Sequence, residues 1–347
     1  MDFIEMTDTQ RKIFIDAAQL HEAFIDAYHK GESYRGGMHW KKSKGKAYLF
    51  RSLDRFGNGK SLGPRSDETE KIYNAFHKKK KMLKTGLRAL KEKLKEQARF
   101  CKAAKIQRAP RIATAILRVL ELHKLLGRNL QVIGTNALYA YEAAAGIFLE
   151  EKLLATRDMD ILWDIRARLH LCALRETDAK GLIDIIRKAD RSFDLIGQKS
   201  FRAVNRDGYM VDLVKPAPRE ILTKEVRQMG GQGDLEAVEI RNLQWLVASP
   251  KFKHTVIGDD GYPANIVAPD PRAFALHKLW LSTQPDREPI KRKRDHNQAL
   301  AVCGTVLAFL PTYKFNREEL RMFPKEIVDK ALLKIHNSDM PAGYAID

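Results

Sequence analysis

Apolar residues recur along this chain in two rhythms. Over residues 9–29, Phe14, Ala17, Leu20, Phe24 and Ile25 return at helical spacing. Gly31 and the Gly36-Gly37 pair close that helix. Short aromatic pieces follow, around His39-Trp40 and Ala47-Tyr48-Leu49-Phe50. They are parted by a polar turn at 43–45, which predicts a small hairpin and then a glycine-containing loop over 57–63. Ser66, with Asp67 and Glu70 behind it, supplies a cap and an acidic first turn for a helix reaching towards Lys105. Within it Leu83, Leu87, Leu90 and Leu94 form a narrow seam among lysines. Such a seam serves either a hairpin with the amino-terminal helix or a homodimer. Pro110 breaks the pattern, and an amphipathic helix over 112–126 ends at Gly127.

The middle of the chain alternates strands with helices. Leu130–Ile133 reads as an apolar strand that stops at Gly134-Thr135 and feeds a helix bearing Ala137, Leu138, Tyr141, Ala144 and Ala145. A second strand enters through a polar corner at 155–163. A helix is predicted near 179–190, then strands at 201–204 and 209–214 around the turn Asn205-Arg206-Asp207-Gly208. Residues 243–247, 253–257 and 264–268 are further strand candidates. Asp270 and Pro271 then form a helix start, cap followed by first-turn proline. Helices near 294–309 and 324–336 precede a polar carboxy-terminal stretch. The division implied is a basic, mostly helical region with a small hairpin (1–110), an α/β core (111–268) and a helical subdomain (269–347).

Charge sharpens this picture. The 347 residues carry 62 Lys+Arg against 44 Asp+Glu, a net of +18. Residues 51–125 alone hold 21 basic and 7 acidic side chains, a net of +14. Solubility does not require so local a surplus, and a polyanion such as RNA would be drawn to it. Lys78, Lys79, Lys80, Lys81, Lys84 and Arg88 are the candidate nucleic-acid contacts. Trp40, Tyr48 and Phe50, beside Lys41, Lys42, Lys44 and Lys46, suit either base stacking or the core of the hairpin. The run 299–310 is too short for the ~20 apolar residues of a membrane helix. An acidic amino terminus does not read as a signal peptide. Cys101, Cys172 and Cys303 are widely spaced and form no CxxC pair, which fits a reducing cytoplasm. The loop at 57–63 fails as a phosphate loop, because Gly57 stands only two residues before Gly59-Lys60-Ser61 and no apolar strand leads into it.

Three acids carry the candidate chemistry. Alternate residues of a strand share a face, so Asp158 and Asp160 point the same way. Carboxylates pressed together repel unless a cation offsets them. Magnesium, or manganese in its place, prefers such oxygen ligands with phosphate and water. Asp212, set in Tyr209-Met210-Val211-Asp212-Leu213-Val214, is costly to bury without such a partner. If its strand lies beside that of Asp158, the three acids converge. Met159 and Ile161 then face the core. The Gly134-Thr135 turn, opening a helix, offers backbone amides to a phosphate.

This set resembles the polymerase-beta-like nucleotidyltransferase superfamily, whose pattern falls here on Gly134-Thr135, Asp158-Met159-Asp160 and Asp212. The phrase Thr156-Arg157-Asp158-Met159-Asp160 looks like that of bacterial Thr-x-Asp-x-Asp members, among them toxin-like, abortive-infection-like and uncharacterised proteins. The resemblance covers roughly 112–310. It implies an α+β nucleotidyltransferase fold, a mixed sheet flanked by helices. It further implies Asp158, Asp160 and Asp212 as catalytic and metal-binding residues, with Gly134, Thr135, Asn136, Lys278 and Arg287 on the nucleoside triphosphate. The cluster Lys293-Arg294-Asp295-His296 also resembles the helical subdomain of that family. Thr135 stands where serine or glycine is commoner, and the 24-residue step from Gly134 to Asp158 implies an extended intervening helix. The implied reaction moves a nucleoside monophosphate from the triphosphate to a hydroxyl. The acceptor is RNA such as tRNA, or alternatively a protein or small molecule; a non-enzymatic nucleic-acid-binding scaffold is the other class of reading. His277 and His296 lack a third partner for zinc. Asp164 reads as a cap rather than a fourth catalytic acid.

Overall fold

A computed structural model describes residues 3–54, 57–166, 181–197, 199–218, 228–231 and 233–337. Cys172, the first two residues of the helix predicted near 179–190 and the polar stretch after residue 337 lie outside them. Strand β1 (Ile4–Glu5) leads into α1 (Asp8–Glu32), whose first turn is closed by reciprocal bonds between Thr7 and Gln10. A three-stranded antiparallel sheet follows: β2 (Gly37–Ser43), β3 (Lys46–Ser52) and β4 (Gly59–Pro64). The expected hairpin thus gains a strand, because the segment foreseen as a loop after Gly57 pairs through Gly59, Lys60 and Ser61 with β3. Helix α2 (Asp67–Ala103) starts at Ser66, whose hydroxyl accepts from the Thr69 amide while the Thr69 side chain accepts from the Ser66 amide.

The leucine seam makes a hairpin within the chain. Leu94, Ala98 and Cys101 of α2 are buried, Leu83, Leu87 and Leu90 half-buried, and α2 packs along α1. Gln97 Nε2 donates to the Ile13 carbonyl at 2.9 Å, fixing the two helices in register. Phe14 and Ala17 of α1, Cys101, Ile106 and Ile257 form a small core that joins this hairpin to the rest of the molecule.

Beyond Pro110 come α3 (Arg111–Leu122), β5 (Leu130–Ile133), a tight turn Gly134–Ala137 and α4 (Leu138–Ala145). The expected extended helix is not there. Gly146 adopts a left-handed conformation (φ 65°) that ends α4, and β6 (Ile147–Phe148) and α5 (Glu151–Leu154) fill the step instead. Strand β6 pairs with β1 (Ile4↔Phe148), a contact that local pattern could not foresee. Strand β7 (Asp158–Trp163) is followed by α6 (Leu182–Ile186), β8 (Asp194–Leu195), β9 (Arg202–Val204), β10 (Met210–Pro216) and β11 (Val238–Ile240). Residues 243–247, expected as a strand, give instead α7 (Gln244–Ala248); a short apolar run cannot by itself separate buried helix from strand. Strands β12 (Lys251–Ile257) and β13 (Pro263–Pro269) form a hairpin, then α8 (Pro271–Leu281), α9 (Pro289–Phe309) and α10 (Lys325–Asn337) complete the fold. Asp270 caps α8 by accepting from the Arg272 amide at 2.8 Å, with Pro271 in the first turn.

The central sheet is mixed, as expected for an α+β fold. Its order is β5-β7-β10-β9-β8, with β11 added beside β10. Strand β5 runs antiparallel to β7, β7 parallel to β10, and β10 antiparallel to β9. Met159, Ile161, Val211 and Leu213 are buried in one continuous core with Ile116, Leu120, Leu138, Tyr141 and Phe274. That core holds β7 and β10 rigid under the acids on their other face. No described helix is long and apolar enough to cross a membrane.

Candidate active site

The site grows out of strand periodicity. In β7, half-buried Asp158 and Asp160 alternate with buried Met159 and Ile161, so both acids project from the face away from the core. In β10 the parallel register sets Asp212 opposite Asp160 and Met210 opposite Asp158. Neighbouring strands lie about 4.8 Å apart, so three carboxylates from two strands occupy one patch. Sequence alone did not show that the two strands are adjacent; the register does.

Electrostatics record the crowding. The Asp160 carboxyl is pushed up to about 6, first by burial and then by Asp158 and Asp212, while Lys278 and Arg202 pull the other way. Asp212 is buried, and Arg202 grips it with two prongs, Nε to Oδ1 at 2.7 Å and Nη2 to Oδ2 at 2.5 Å. Arg202 sits opposite Asp212 in the β9–β10 register, which sets the fork in place. Asp158 accepts from the Thr156 hydroxyl.

The glycine turn closes one side. Gly134 has φ 65°, and a Cβ there would lie 2.3 Å from Asp160 Oδ2. Both the left-handed backbone and the closeness of the acid therefore demand glycine. Asn136 Nδ2 donates to the Asp158 carbonyl at 2.6 Å, binding the turn to β7. Thr135 Oγ1 accepts from Arg294 Nη2 at 2.9 Å and Gln298 Nε2 at 3.1 Å, and Arg294 also reaches the Ala155 carbonyl at 2.5 Å. Helix α9 is thus bolted to the turn.

Lys278 and Arg287 stand differently from the reading that put them on phosphates. Lys278 is buried, with Nζ 2.6 Å from Asp295 Oδ1, and Arg287 Nε lies 2.9 Å from Asp295 Oδ2. Burial lowers the Lys278 ammonium below its ordinary range, against the pull of Asp295. Arg202 and Gln298 were missed as site residues, and Arg294 and Asp295 were noticed only as part of a cluster. Nothing local marks them, since each acts across a strand or helix pair. Asp164 behaves as the cap foreseen, accepting from the Arg166 amide and guanidinium. His277 is buried beside Trp245 and Trp280, and burial lowers it to about 3.

Among the described residues, no three or more His, Cys, Asp or Glu side chains are set to hold a metal ion as they stand. The donor chemistry suits a hard divalent cation held by one or two carboxylates plus phosphate and water oxygens, rather than a closed protein cage. Asp158 and Asp160 have the chemistry for that role, whereas Asp212 is engaged by Arg202.

On α2, Lys78, Lys79, Lys81, Lys84 and Arg88 are exposed. Lys80 is half-buried, its ammonium on the Gly36 carbonyl and 5.7 Å from the Phe76 ring centre, so it is tied down where the others are not.

A protein family described as nucleotidyltransferase matches residues 111–321, more than half of the chain. Searches of curated proteins and of solved structures return no match.

Proposed function

The chain belongs to a nucleotidyltransferase family, and from that premise we propose that it moves a nucleoside monophosphate from a triphosphate to a hydroxyl on RNA, such as tRNA, with magnesium or manganese at Asp158 and Asp160. The observation that carries this reading is the parallel register that sets Asp212 opposite Asp160. A divalent ion, when bound, supplies charge neutralisation for the transferring phosphoryl group and its leaving pyrophosphate. Asp158 and Asp160 hold it. Asp212, freed from Arg202, completes the site and takes the proton of the attacking hydroxyl. The backbone amides of the turn at Gly134, Thr135 and Asn136 seat the triphosphate, with Arg294 beside them. Lys278 acts from inside, through its charge on Asp160, and Arg287 steadies Asp295.

The exposed cations of α2 support RNA as acceptor, since they offer phosphate contacts without neighbouring acids between Lys78 and Arg88. The phrase Thr156-Arg157-Asp158-Met159-Asp160 supports placement with the bacterial Thr-x-Asp-x-Asp members. The buried free thiols of Cys101 and Cys303 suit the cytoplasm. Half-buried Leu83, Leu87 and Leu90 leave a strip of α2 on which a second copy can settle. Gel filtration of the Leu87→Glu, Leu90→Glu variant tests that homodimer.

The deciding experiment incubates the protein with each labelled nucleoside triphosphate, magnesium or manganese, and total cellular RNA and protein. Label in RNA, absent with Asp160→Asn, is the expected result. Label in protein overturns the acceptor assignment, and label in neither overturns the reaction.

A further inference from the structure

The small amino-terminal sheet has two unlike faces. One packs on α2: Met38 and Leu49 are buried with Phe76, and the Trp40 ring lies 5.8 Å from that of Tyr73, with the Arg65 guanidinium 5.2 Å from its centre. Trp40 is therefore half-buried on the α2 side, packed against the core of this unit. The opposite face carries His39, Lys41, Lys46, Tyr48 and Phe50, which follow from the same alternation and from the pairs His39↔Phe50 and Lys41↔Tyr48.

That second face combines rings with positive charge. The His39 and Phe50 rings are 5.6 Å apart, and Lys41 Nζ lies 5.4 Å from the Phe50 centre. Phe50 lies across the neighbouring strand at Gly59, where a Cβ would come within 2.7 Å of its Cε1. A side chain there would lift the ring from the sheet. Lys41 and Lys46 on this face and Lys44 in the β2–β3 turn are exposed, and residues 37–52 and 59–64 contain no acid.

We propose that this face of β2–β4 binds single-stranded RNA, stacking bases on Phe50 and Tyr48 while Lys41 and Lys46, with Lys44 of the intervening turn, hold the phosphates. Alternate residues of a strand are about 6.8 Å apart, so Tyr48 and Phe50 serve separate bases of an extended strand. Exposed base faces suit such a platform, whereas a duplex hides them. Charge complementarity selects a polyanion, and the rings select one with unstacked bases. The choice of RNA rests on the acceptor proposed above; the stacking surface itself does not use the acids.

The test is fluorescence anisotropy of the full chain with a labelled oligouridylate, a self-complementary RNA duplex and an oligodeoxyuridylate of equal length. Phe50→Ala and Tyr48→Ala are each expected to weaken oligouridylate binding at least about fivefold and to leave duplex binding unchanged. Circular dichroism checks that each variant is folded. In the unaltered protein, an oligomer carrying 5-iodouridine is expected to crosslink to β3, a readout that does not depend on any variant folding. Unchanged oligouridylate affinity in both folded variants, or crosslinks confined to other elements, overturns the proposal. Tighter binding of the deoxy oligomer overturns the choice of RNA. Asp160→Asn should bind oligouridylate normally, so loss of nucleotidyl transfer and loss of stacking are read separately.

Discussion

Arg202 and Asp212 face one another across β9 and β10 and are joined by two charge-assisted hydrogen bonds, at 2.7 and 2.5 Å. The guanidinium thus occupies the carboxylate that the proposed metal site still needs. Replacing Arg202 with Ala leaves a buried acceptor unpaired beside two other acids, a cost of about 1–3 kcal/mol in denaturant unfolding. In the same variant manganese no longer competes with the guanidinium. Its stabilising effect on thermal unfolding should exceed that in the unaltered protein. Equal manganese shifts in both proteins would show that Arg202 and the ion do not compete.

Asp160 is crowded by Asp158 and Asp212 and burial already disfavours its charge. Asp160→Asn removes a repelling carboxylate, so the folded state should be at least as stable in thermal unfolding. Transfer of labelled nucleotide should fall at least about 100-fold, because a hard cation loses a charged ligand. A variant that keeps its transfer rate would remove Asp160 from the chemistry.

Gly134→Ala meets two obstacles at once, the left-handed backbone at φ 65° and the Asp160 carboxylate 2.3 Å from the added carbon. Strain of this kind costs about 1–3 kcal/mol. We expect a lower denaturation midpoint together with loss of nucleotide transfer, measured on the same preparation. A midpoint unchanged from the unaltered protein would mean that the turn can open freely.

Glu121 gives a pH signature far from the acids. It is buried, meets His21 Nε2 at 3.0 Å and accepts from Asn265 Nδ2 at 2.6 Å, so it links α1 to α3 and β13. Burial alone would raise its carboxyl, but these partners hold it below the ordinary glutamate range. A carboxylate so lowered contributes stability that is fully present above its unfolded value. That stability is lost as pH falls through the folded one. The melting temperature of the unaltered protein should therefore drop in acid more steeply than that of Glu121→Gln. Parallel curves would refute the linkage.

The basic helix makes a salt-dependent prediction. Exchanging Lys79, Lys81, Lys84 and Arg88 for Gln should weaken RNA binding for all sequences alike. It should also shallow the log–log salt slope by about 0.7 per lost phosphate contact on single strands. Lys80→Gln should matter less, because its ammonium is already on the Gly36 carbonyl.

Much of the acid patch could be read from the chain because it depends on short-range rules. Alternation placed Asp158 and Asp160 on one face, the apolar flanks of Asp212 announced a strand, and Gly134 marked the turn. The helix starts at Ser66 and Asp270 were equally local. What escaped depends on which elements become neighbours. Arg202 gains its meaning only from the β9–β10 register, and Lys278 looks like any helix lysine until Asp295 is brought to it from α9. The third strand at Gly59 was hidden by glycine and lysine, which seldom announce pairing, and α7 by an apolar run too short to show its period. Trp40 and Phe50, alike in the sequence, part company because strand parity sends one ring inward and the other out.

The pairing of Ile4 with Phe148 has a bearing on how the molecule is made. Among the described residues β1 pairs with β6 alone, so Ile4 and Glu5 must wait for that partner through the synthesis of the whole basic hairpin. A nascent chain stalled before Phe148 would leave that strand open to a protease, and one stalled well beyond it would not.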